Sequence, residues 1–276
     1  ANSMGSDAGD INNDGLEDFI TLDMNPEDNY RKKMMLSPIS YQLFQNYERF
    51  GYSYQYVRNT LQLNQGPRLG QNDSTGVPVF SEIGYFAGIE ATDWSWIPVL
   101  TDFDNDGYRD LIINNGFPRD ITDHDFAMFR DKAYLVATKS EILMQVPEVK
   151  LHNYAFRNNG DLTFSDVSHE WGMSVPTFSN GSAYADLDRD GDLDLVINNI
   201  NDEALVYRNN TRERNTNSHY LRVQLKGSEQ NIQGLGARIE IHYDNGKIQV
   251  WENNPFRGYL SSYEDIAHFG SGTVTV

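Results

Sequence analysis

The 276-residue sequence contains no cysteine, few basic residues and no long apolar run. Without cysteine, a disulfide framework, a thiolate metal site and a cysteine nucleophile are all excluded. The 22 lysines and arginines face 40 aspartates and glutamates, giving a formal net charge of −18. This balance argues against nucleic acid as a partner, because phosphates are bound mainly by clustered cations. No apolar run approaches the roughly 18 residues of a membrane-spanning helix, and residues 1–5 have no signal-peptide core.

Aromatic residues and internal repeats are what the sequence has in abundance. The 16 tyrosines and 14 phenylalanines favour β-sheets over helical bundles. Residues 80–115 align without a gap to residues 164–199, at a constant offset of 84. A partial third copy occupies residues 10–22, and residues 59–66 resemble residues 153–160. Because each copy contains several short strand-like runs, the repeats predict a mainly β protein built from duplicated units.

Two segments between the β elements are predicted to be helical insertions. Residues 37–50 start with Ser37 and Pro38, which suit an N-cap and a first helical position. Residues 123–146 start at Asp123, place apolar residues near helical spacing and stop before Pro147. The second insertion occupies the corresponding place in its repeat.

The C-terminal part of the chain has a different pattern. A polar stretch at residues 211–218 is predicted to be a linker. Residues 219–225, 237–243 and 247–251 then alternate apolar and polar side chains, with a hairpin turn at residues 244–246. We therefore expect two domains, a repeat region over residues 1–211 and a small β-sheet domain over residues 212–276.

Each repeat carries an aspartate-rich loop with oxygen side chains at positions one, three, five and nine and glycine at position six. Ca²⁺ binds six to eight oxygen ligands, and a glycine permits the sharp bend that lets alternate side chains converge. Position seven is expected to supply a backbone carbonyl. The predicted ligands are Asp10, Asn12, Asp14, Leu16 and Asp18 in loop 1, Asp102, Asp104, Asp106, Tyr108 and Asp110 in loop 2, and Asp186, Asp188, Asp190, Asp192 and Asp194 in loop 3.

The alternative is that these loops are solvated Asp-Gly turns, which are common at strand ends. Three copies in register favour about three bound Ca²⁺ ions, because clustered carboxylates repel one another unless a cation neutralises them. Zinc is disfavoured because the loops contain no histidine or cysteine. Mg²⁺ is disfavoured because it usually retains several waters.

No complete catalytic motif accompanies the loops. His169 and Glu170 begin like a zinc-protease motif, but Met173 stands where the second histidine would be. Two aromatic sets have strand-like spacing, namely Trp94 with Trp96 and Tyr52 with Tyr54 and Tyr56. Packing in the core or between repeats is the favoured interpretation of both sets, and a carbohydrate-binding platform is the alternative.

The loops followed by the runs at residues 111–115 and 195–199 resemble FG-GAP/VCBS repeats, and residues 234–238, 258–261 and 268–270 resemble the ASPIC/UnbV domain. This resemblance, which includes cartilage acidic protein-like chains, implies Ca²⁺-binding β-propeller blades, here forming a partial propeller with helical insertions. Insertions at residues 26–31, 116–120 and 153–156 look like those of Bacteroidota surface proteins. That likeness implies an exported, outer-membrane-associated protein. The number of units suggests that the remainder of a longer polypeptide lies outside this chain.

These observations predict a non-catalytic, calcium-binding cell-surface module that binds or scaffolds a protein or glycan partner. One alternative, implied by the resemblance alone, is an accessory lipoprotein of an outer-membrane nutrient-uptake complex. Another is a carbohydrate-processing enzyme that uses carboxylates on a propeller, since propellers can host hydrolases. Asp123 and Asp125, which lie outside the metal loops, are the carboxylates to test for that activity.

Overall fold

The computed structural model describes residues 3–35, 40–68, 76–243, 246–258 and 260–274. The repeat region contains twelve strands: β1 (Gly5–Gly9), β2 (Asp18–Leu22), β3 (Met24–Asn25), β4 (Thr60–Pro67), β5 (Pro78–Glu82), β6 (Asp93–Thr101), β7 (Asp110–Asn115), β8 (Tyr154–Asn158), β9 (Phe164–Asp166), β10 (Ser179–Ala185), β11 (Asp194–Asn199) and β12 (Leu205–Tyr207). The helices are α1 (Asn29–Met34), α2 (Tyr41–Phe50), α3 (Gly84–Ala87), α4 (His124–Ala133), α5 (Lys139–Met144) and α6 (Thr211–Arg214). The C-terminal strands are β13 (His219–Gln224), β14 (Arg238–His242), β15 (Ile248–Glu252), β16 (Phe256–Arg257), β17 (Ser261–Ser262) and β18 (Ile266–Gly272).

The twelve strands form three antiparallel sheets that we call blades. Blade 1 has the order β1-β2-β4-β5, blade 2 has β6-β7-β8-β9 with β3 added beside β6, and blade 3 has β10-β11-β12. In every blade an aspartate loop joins the first two strands. The first strands lie side by side, with β6 in contact with both β1 and β10. This arrangement confirms the predicted mainly β fold of propeller-type blades.

Burial follows the position of each blade. In β1 of blade 1, buried and exposed residues alternate, whereas every residue of β7 in blade 2 is buried. Blade 2 is covered on both faces because it lies between the other two, so its strands lose the alternation of a half-exposed sheet. One hydrophobic cluster fills the interface between blades 1 and 2, and another lies between blades 2 and 3.

The repeats detected in the sequence cross the blade boundaries. The unit at residues 80–115 starts in β5, the last strand of blade 1, and ends in β7, the second strand of blade 2. The unit at residues 164–199 runs in the same way from β9 of blade 2 to β11 of blade 3. The copy at residues 10–22, expected to lack its upstream half, belongs to a complete four-stranded blade. The blade with three strands among the described residues is blade 3.

The helical insertions occupy corresponding places, after the second strand of blades 1 and 2. Helix α2 begins after the N-cap Ser40, and the predicted start at Ser37 and Pro38 lies outside the described residues. Asp123 caps α4 as predicted, accepting a hydrogen bond from the backbone N–H of Phe126. The expectation of one helical run over residues 123–146 was wrong, because a turn at residues 134–138 separates α4 from α5 and Thr138 forms a capping box for α5.

The two aromatic sets have different environments. Trp94 is buried and stacks on Phe117 with ring centroids 4.3 Å apart, which confirms packing for the tryptophan pair. Packing was the wrong expectation for Tyr52, Tyr54 and Tyr56, which are 67%, 40% and 55% exposed. No strand forms there, and the tyrosines follow α2 as an irregular segment in which Tyr54 stacks on Phe44 of that helix. The carbohydrate-platform alternative for them stays a hypothesis.

The C-terminal module is a small β domain, as predicted. Strands β14 and β15 form an antiparallel hairpin, β13 pairs with β18, and Trp251 and Phe269 contribute to their shared core. The turn residues Asp244 and Asn245 lie outside the described residues. Over the described part of the chain, no helix is both long and apolar enough to cross a membrane.

The predicted linker is fastened to blade 3. It contains α6, and the backbone N–H of Arg212 donates to the buried carboxylate of Asp192 over 2.7 Å. The polar composition of residues 211–218 predicted a linker without contacts to the blades, because such residues are typical of loops. Here the same polar groups bind loop 3. The domain boundary after residue 211 stays a prediction.

Candidate metal sites

The three aspartate loops have the same backbone conformation. Position four is left-handed in each, at Asn13, Asn105 and Arg189, with φ of 59°, 58° and 64°. The glycine at position six also has positive φ in each loop, between 86° and 96°. Glycine adopts this conformation without the steric penalty that a Cβ imposes. The repeated sequence pattern therefore corresponds to a repeated three-dimensional loop.

The aspartate at position one organises the start of each loop. In loop 2 the Asp102 carboxylate accepts hydrogen bonds from the backbone N–H groups of Asp106 at 3.1 Å and Gly107 at 2.8 Å. Asp10 and Asp186 accept the same two bonds in loops 1 and 3. These bonds curl the loop around a carboxylate that is almost completely buried in all three copies.

The aspartate at position nine ties the loop to the rest of its blade. In loop 2 the Asp110 carboxylate accepts from the backbone N–H of Phe103 at 2.9 Å and that of Asn158 at 3.0 Å. Asp18 and Asp194 make the equivalent pair of bonds. Position nine therefore has a structural function in addition to the ligand function predicted for it.

Carboxylates converge most closely in loops 2 and 3. Asp102, Asp104 and Asp106 each place an oxygen within 4.8 Å of the others, and so do Asp186, Asp188 and Asp194. Within the described ranges, the acidic side chains of loop 1 do not form such a trio. Loop 1 instead contains Asn12, whose Oδ1 is buried and has no hydrogen-bond partner there. A buried acceptor without a donor fits a cation ligand.

Burial, together with crowding, raises the pKa values of carboxylates in loops 1 and 2. Burial, followed by repulsion from Asp106, raises the pKa of Asp104 to about 6, and burial is the main reason that the pKa of Asp18 is also about 6. The pKa values of Asp102 and Asp110 are well above the ordinary range because both groups are buried beside other carboxylates. A bound cation would remove this penalty, and the all-oxygen donor set suits Ca²⁺.

Loop 3 differs from loop 2 because arginines contact its aspartates. Arg222, from the C-terminal module, places Nη1 2.7 Å from Asp186 Oδ2. Arg208 pairs with Asp188 at 2.8 Å and with Asp190 at 3.3 Å. These guanidinium groups offset part of the negative charge of loop 3 by direct ion pairs, whereas Arg157 acts on Asp104 and Asp106 of loop 2 from a greater distance.

The three residues at position seven have separate environments. The buried side chain of Asp192 accepts from the Asn105 side chain at 2.8 Å, in addition to its bond with Arg212. The ring of Tyr108 lies 4.4 Å from the ammonium group of Lys247. The backbone-carbonyl ligands expected from Leu16, Tyr108 and Asp192 stay predictions.

Asparagines connect neighbouring blades, and the sequence analysis missed their function. The Asn13 side chain donates to the carbonyl of Gly107 in the next loop at 2.8 Å, and Asn105 donates to that of Gly191 at 3.4 Å. Asparagines at the end of β8 and just after β12 bond in the opposite direction: Asn158 donates to the carbonyl of Ile11 at 2.8 Å, and Asn209 donates to that of Phe103 at 2.7 Å. The available signal was the same residue type, asparagine, at matching positions of successive units.

The C-terminal module lies against the loops. The backbone N–H of Gly272 donates to the carbonyl of Asn105 at 2.8 Å, and His268 Nε2 lies 2.6 Å from the Asn105 side-chain oxygen. Burial lowers the pKa of His268 to about 3, so this imidazole is neutral at physiological pH. Arg238 donates to the carbonyl of Gly15 in loop 1 at 2.7 Å. The module therefore contacts all three loops.

Comparisons with known proteins agree with this architecture. The FG-GAP-like repeat model matches residues 139–197, which include parts of blades 2 and 3 with loop 3. The model for ASPIC and UnbV matches residues 227–276, most of the C-terminal module. No curated protein matches the chain. These matches confirm the predicted combination and indicate a repeat-based binding module: the chain is similar to FG-GAP-like repeats in its blades and to ASPIC and UnbV in its C-terminal module.

Proposed function

We propose that this chain is a calcium-stabilised, non-catalytic module that binds or scaffolds a protein or glycan partner at an extracellular bacterial surface. Ca²⁺ at the aspartate loops would hold the edges of the blades, while the insertions and the spaces between blades contact the partner. The observation that carries this proposal is the convergence of Asp102, Asp104 and Asp106 within 4.8 Å of one another, around a buried Asp102. Loop 3 brings Asp186, Asp188 and Asp194 together in the same way, and loop 1 shares the backbone conformation of the other two.

Calcium fits the donor chemistry. Loop 2 offers four aspartates, all with pKa values raised mainly by burial. Holding such groups ionised at neutral pH costs free energy unless an opposite charge is nearby. Three ions would reduce the formal charge of −18 to about −12. Extracellular calcium modules bind with Kd values of roughly 10⁻⁴ to 10⁻³ M, which matches an exported protein in millimolar calcium.

The enzyme alternative requires carboxylates outside the loops. Asp123 has a structural function in the described chain, because its side chain caps α4. Asp125 is exposed in the first turn of the same helix, where a negative side chain favours helix formation. Stabilisation of helix α4 is therefore the simpler explanation of both aspartates.

Calcium stoichiometry and catalysis can be tested on the same preparation. Calorimetric titration from micromolar to millimolar free calcium, with elemental analysis after equilibrium dialysis against 2 mM calcium, should find about three sites, and Asp104→Asn should weaken one of them. Absence of bound calcium at millimolar concentration would contradict the proposal. Hydrolysis of a glycan panel that disappears in Asp125→Ala but survives in Asp131→Ala, a control on the same helix, would contradict the non-catalytic assignment.

The surface location needs its own experiment. Fractionation of the native cell with externally added protease should find the module accessible on intact cells. Purification from membranes with a stoichiometric transport partner would support the nutrient-uptake alternative instead of a scaffold. Recovery in the cytoplasmic fraction would contradict the proposed location.

A further inference from the structure

A cleft of about 440 Å³ lies between blades 2 and 3, beside loop 2. Its wall includes the loop carboxylates of Asp104 and Asp106, the guanidinium group of Arg157, the indole of Trp171 and the phenol of Tyr207. The volume is within the usual range for small-molecule sites. The lining combines flat rings with charged groups of both signs.

The interface between blades 1 and 2 provides an internal comparison, because it occupies the equivalent place one repeat earlier. The position of Arg157, directly before the asparagine that binds the loop, is there held by Leu63. The positions equivalent to Trp171 and Tyr207 are occupied by Ala87 and Phe156, which are also apolar. These residues are buried in one hydrophobic cluster. The same fold can therefore fill this interface, and blades 2 and 3 leave it open with polar side chains instead.

Two of these side chains have unused hydrogen-bonding capacity. The hydroxyl of Tyr207 is buried without a partner among the described residues. The guanidinium group of Arg157 is half-buried, and its charge acts on Asp104 and Asp106, yet no described carboxylate lies within ion-pair distance of it. A buried hydroxyl and a partly desolvated cation are costly unless a ligand satisfies them. Both groups therefore point to a polar, anionic ligand.

We propose that this cleft binds a carboxylate-bearing sugar unit, such as a terminal uronic acid of a glycan. The indole of Trp171 offers a flat apolar surface to the C–H face of a sugar ring, and Arg157 offers paired donors to its carboxylate. Tyr207 and the neighbouring Thr211 offer hydrogen bonds to ring hydroxyls. The cleft suits one or two ring units better than an extended acidic peptide.

Calcium at loop 2 would reduce the repulsion between this lining and an anion. Three carboxylates and three guanidinium groups line the cleft, from Asp104, Asp106 and Glu170 and from Arg157, Arg208 and Arg214. Arg208 already pairs with Asp188, Asp190 and Glu213, so Arg157 and Arg214 are the cations left for a ligand, and a dication at loop 2 would neutralise two of that loop's four aspartate charges. The inference rests on the proposed binding function and adds to it the class of ligand.

The test uses two matched ligands, methyl β-glucuronide and methyl β-glucoside, which differ in the carboxylate. Calorimetric titration of the full chain in 2 mM calcium should show saturable binding of the glucuronide and at least tenfold weaker binding of the glucoside. Arg157→Leu introduces the residue that the chain itself has at the equivalent position, so the fold should be retained. This variant should lose at least tenfold in glucuronide affinity, whereas Arg130→Leu on the distant helix α4 should not.

Calcium uptake is measured separately on the same samples, so that the two proposals can fail independently. Normal calcium binding without glucuronide binding would overturn the ligand assignment and leave the proposed calcium module intact. Equal affinity for the two sugars, or unchanged affinity in Arg157→Leu, would overturn it as well. Binding of an aspartate-rich hexapeptide through Arg157 in place of the sugar would assign the cleft to a protein partner and refute the glycan inference.

Discussion

Asp104→Asn should stabilise the protein without calcium and lose that advantage when calcium is added. In the absence of metal, Asp104 lies beside Asp106 with its pKa raised to about 6 from an ordinary value of 3.8. Two pKa units correspond to about 3 kcal/mol at full effect, and partial exposure of the side chain reduces this to about 1 kcal/mol. Asparagine removes the repulsion at neutral pH and retains an oxygen.

With calcium the same substitution weakens a ligand. A site with a Kd of about 10⁻⁴ M in 2 mM calcium stabilises the folded chain by RT ln(1 + 20), about 1.8 kcal/mol. Loss of one carboxylate that weakens this site tenfold leaves about 0.6 kcal/mol. For a chain of this size, each kcal/mol shifts the Tm by about 2–4 °C. Relative to wild type, the variant gains about 1 kcal/mol from the removed repulsion and loses about 1.2 kcal/mol of calcium stabilisation, so it should melt about 2–4 °C higher in EDTA and within about 1 °C of wild type in calcium.

The assay is calorimetric melting of wild type, Asp104→Asn and the exposed-helix control Asp131→Asn in EDTA, magnesium and calcium. Wild type should gain about 10–20 °C from calcium if three equal sites contribute additively. The loss of the variant's advantage on addition of calcium is specific to a metal ligand, since loss of an ordinary turn hydrogen bond lowers the Tm by a similar amount in both conditions. Identical melting of wild type in EDTA and calcium would refute the reasoning.

Three further results are expected. In EDTA, Asp104 contributes stability that is fully present below pH 3.8 and is lost as the pH rises through about 6, because its pKa is raised in the folded chain. The wild-type Tm should therefore fall between pH 5.5 and 7.5 by more than the Tm of Asp104→Asn. Gly270→Ala places a Cβ 2.1 Å from a carboxylate oxygen of loop 2, so limited proteolysis should cut residues 211–218 faster than in Gly181→Ala, whose Cβ has 3.9 Å of room. Asn158→Ala leaves two buried carbonyls without donors and should cost about 1–3 kcal/mol in denaturant unfolding, against little for the exposed Asn159→Ala.

The parts of the structure that could be predicted are those encoded by local patterns. Alternation of apolar residues located the hairpin of β14 and β15, and the Asp-x-Asp-x-Asp-Gly spacing located three loops with matching backbones. Strand periodicity and glycine positions depend on residues close together in sequence. The helix start at Asp123 was found for the same reason, because an N-cap acts within three residues.

The parts that could not be predicted depend on contacts between distant residues. Tyr52, Tyr54 and Tyr56 have the spacing of a strand, but no neighbouring strand pairs with them, so they remain outside the core. Spacing alone cannot reveal whether a partner strand exists. The pairing of Arg222 with Asp186 joins residues 36 positions apart and follows no periodic signal. Such contacts become visible only when the blades and the C-terminal module are placed together.

The first loop shows why the C-terminal module is better regarded as part of the blade assembly than as an attached domain. In loops 2 and 3, the carbonyl of the position-six glycine accepts a hydrogen bond from the asparagine of the preceding loop. In loop 1 the corresponding carbonyl, that of Gly15, accepts from Arg238 of the C-terminal module. Arg257 of the same module donates to the carbonyls of Pro98 in blade 2 and Ser182 in blade 3, both at 2.8 Å. Because buried carbonyls without donors are costly, Arg257 stabilises the centre of the blades, while the exposed bond from Arg238 joins the module to their edge. The module and the loops are therefore expected to lose their structure together when calcium is removed.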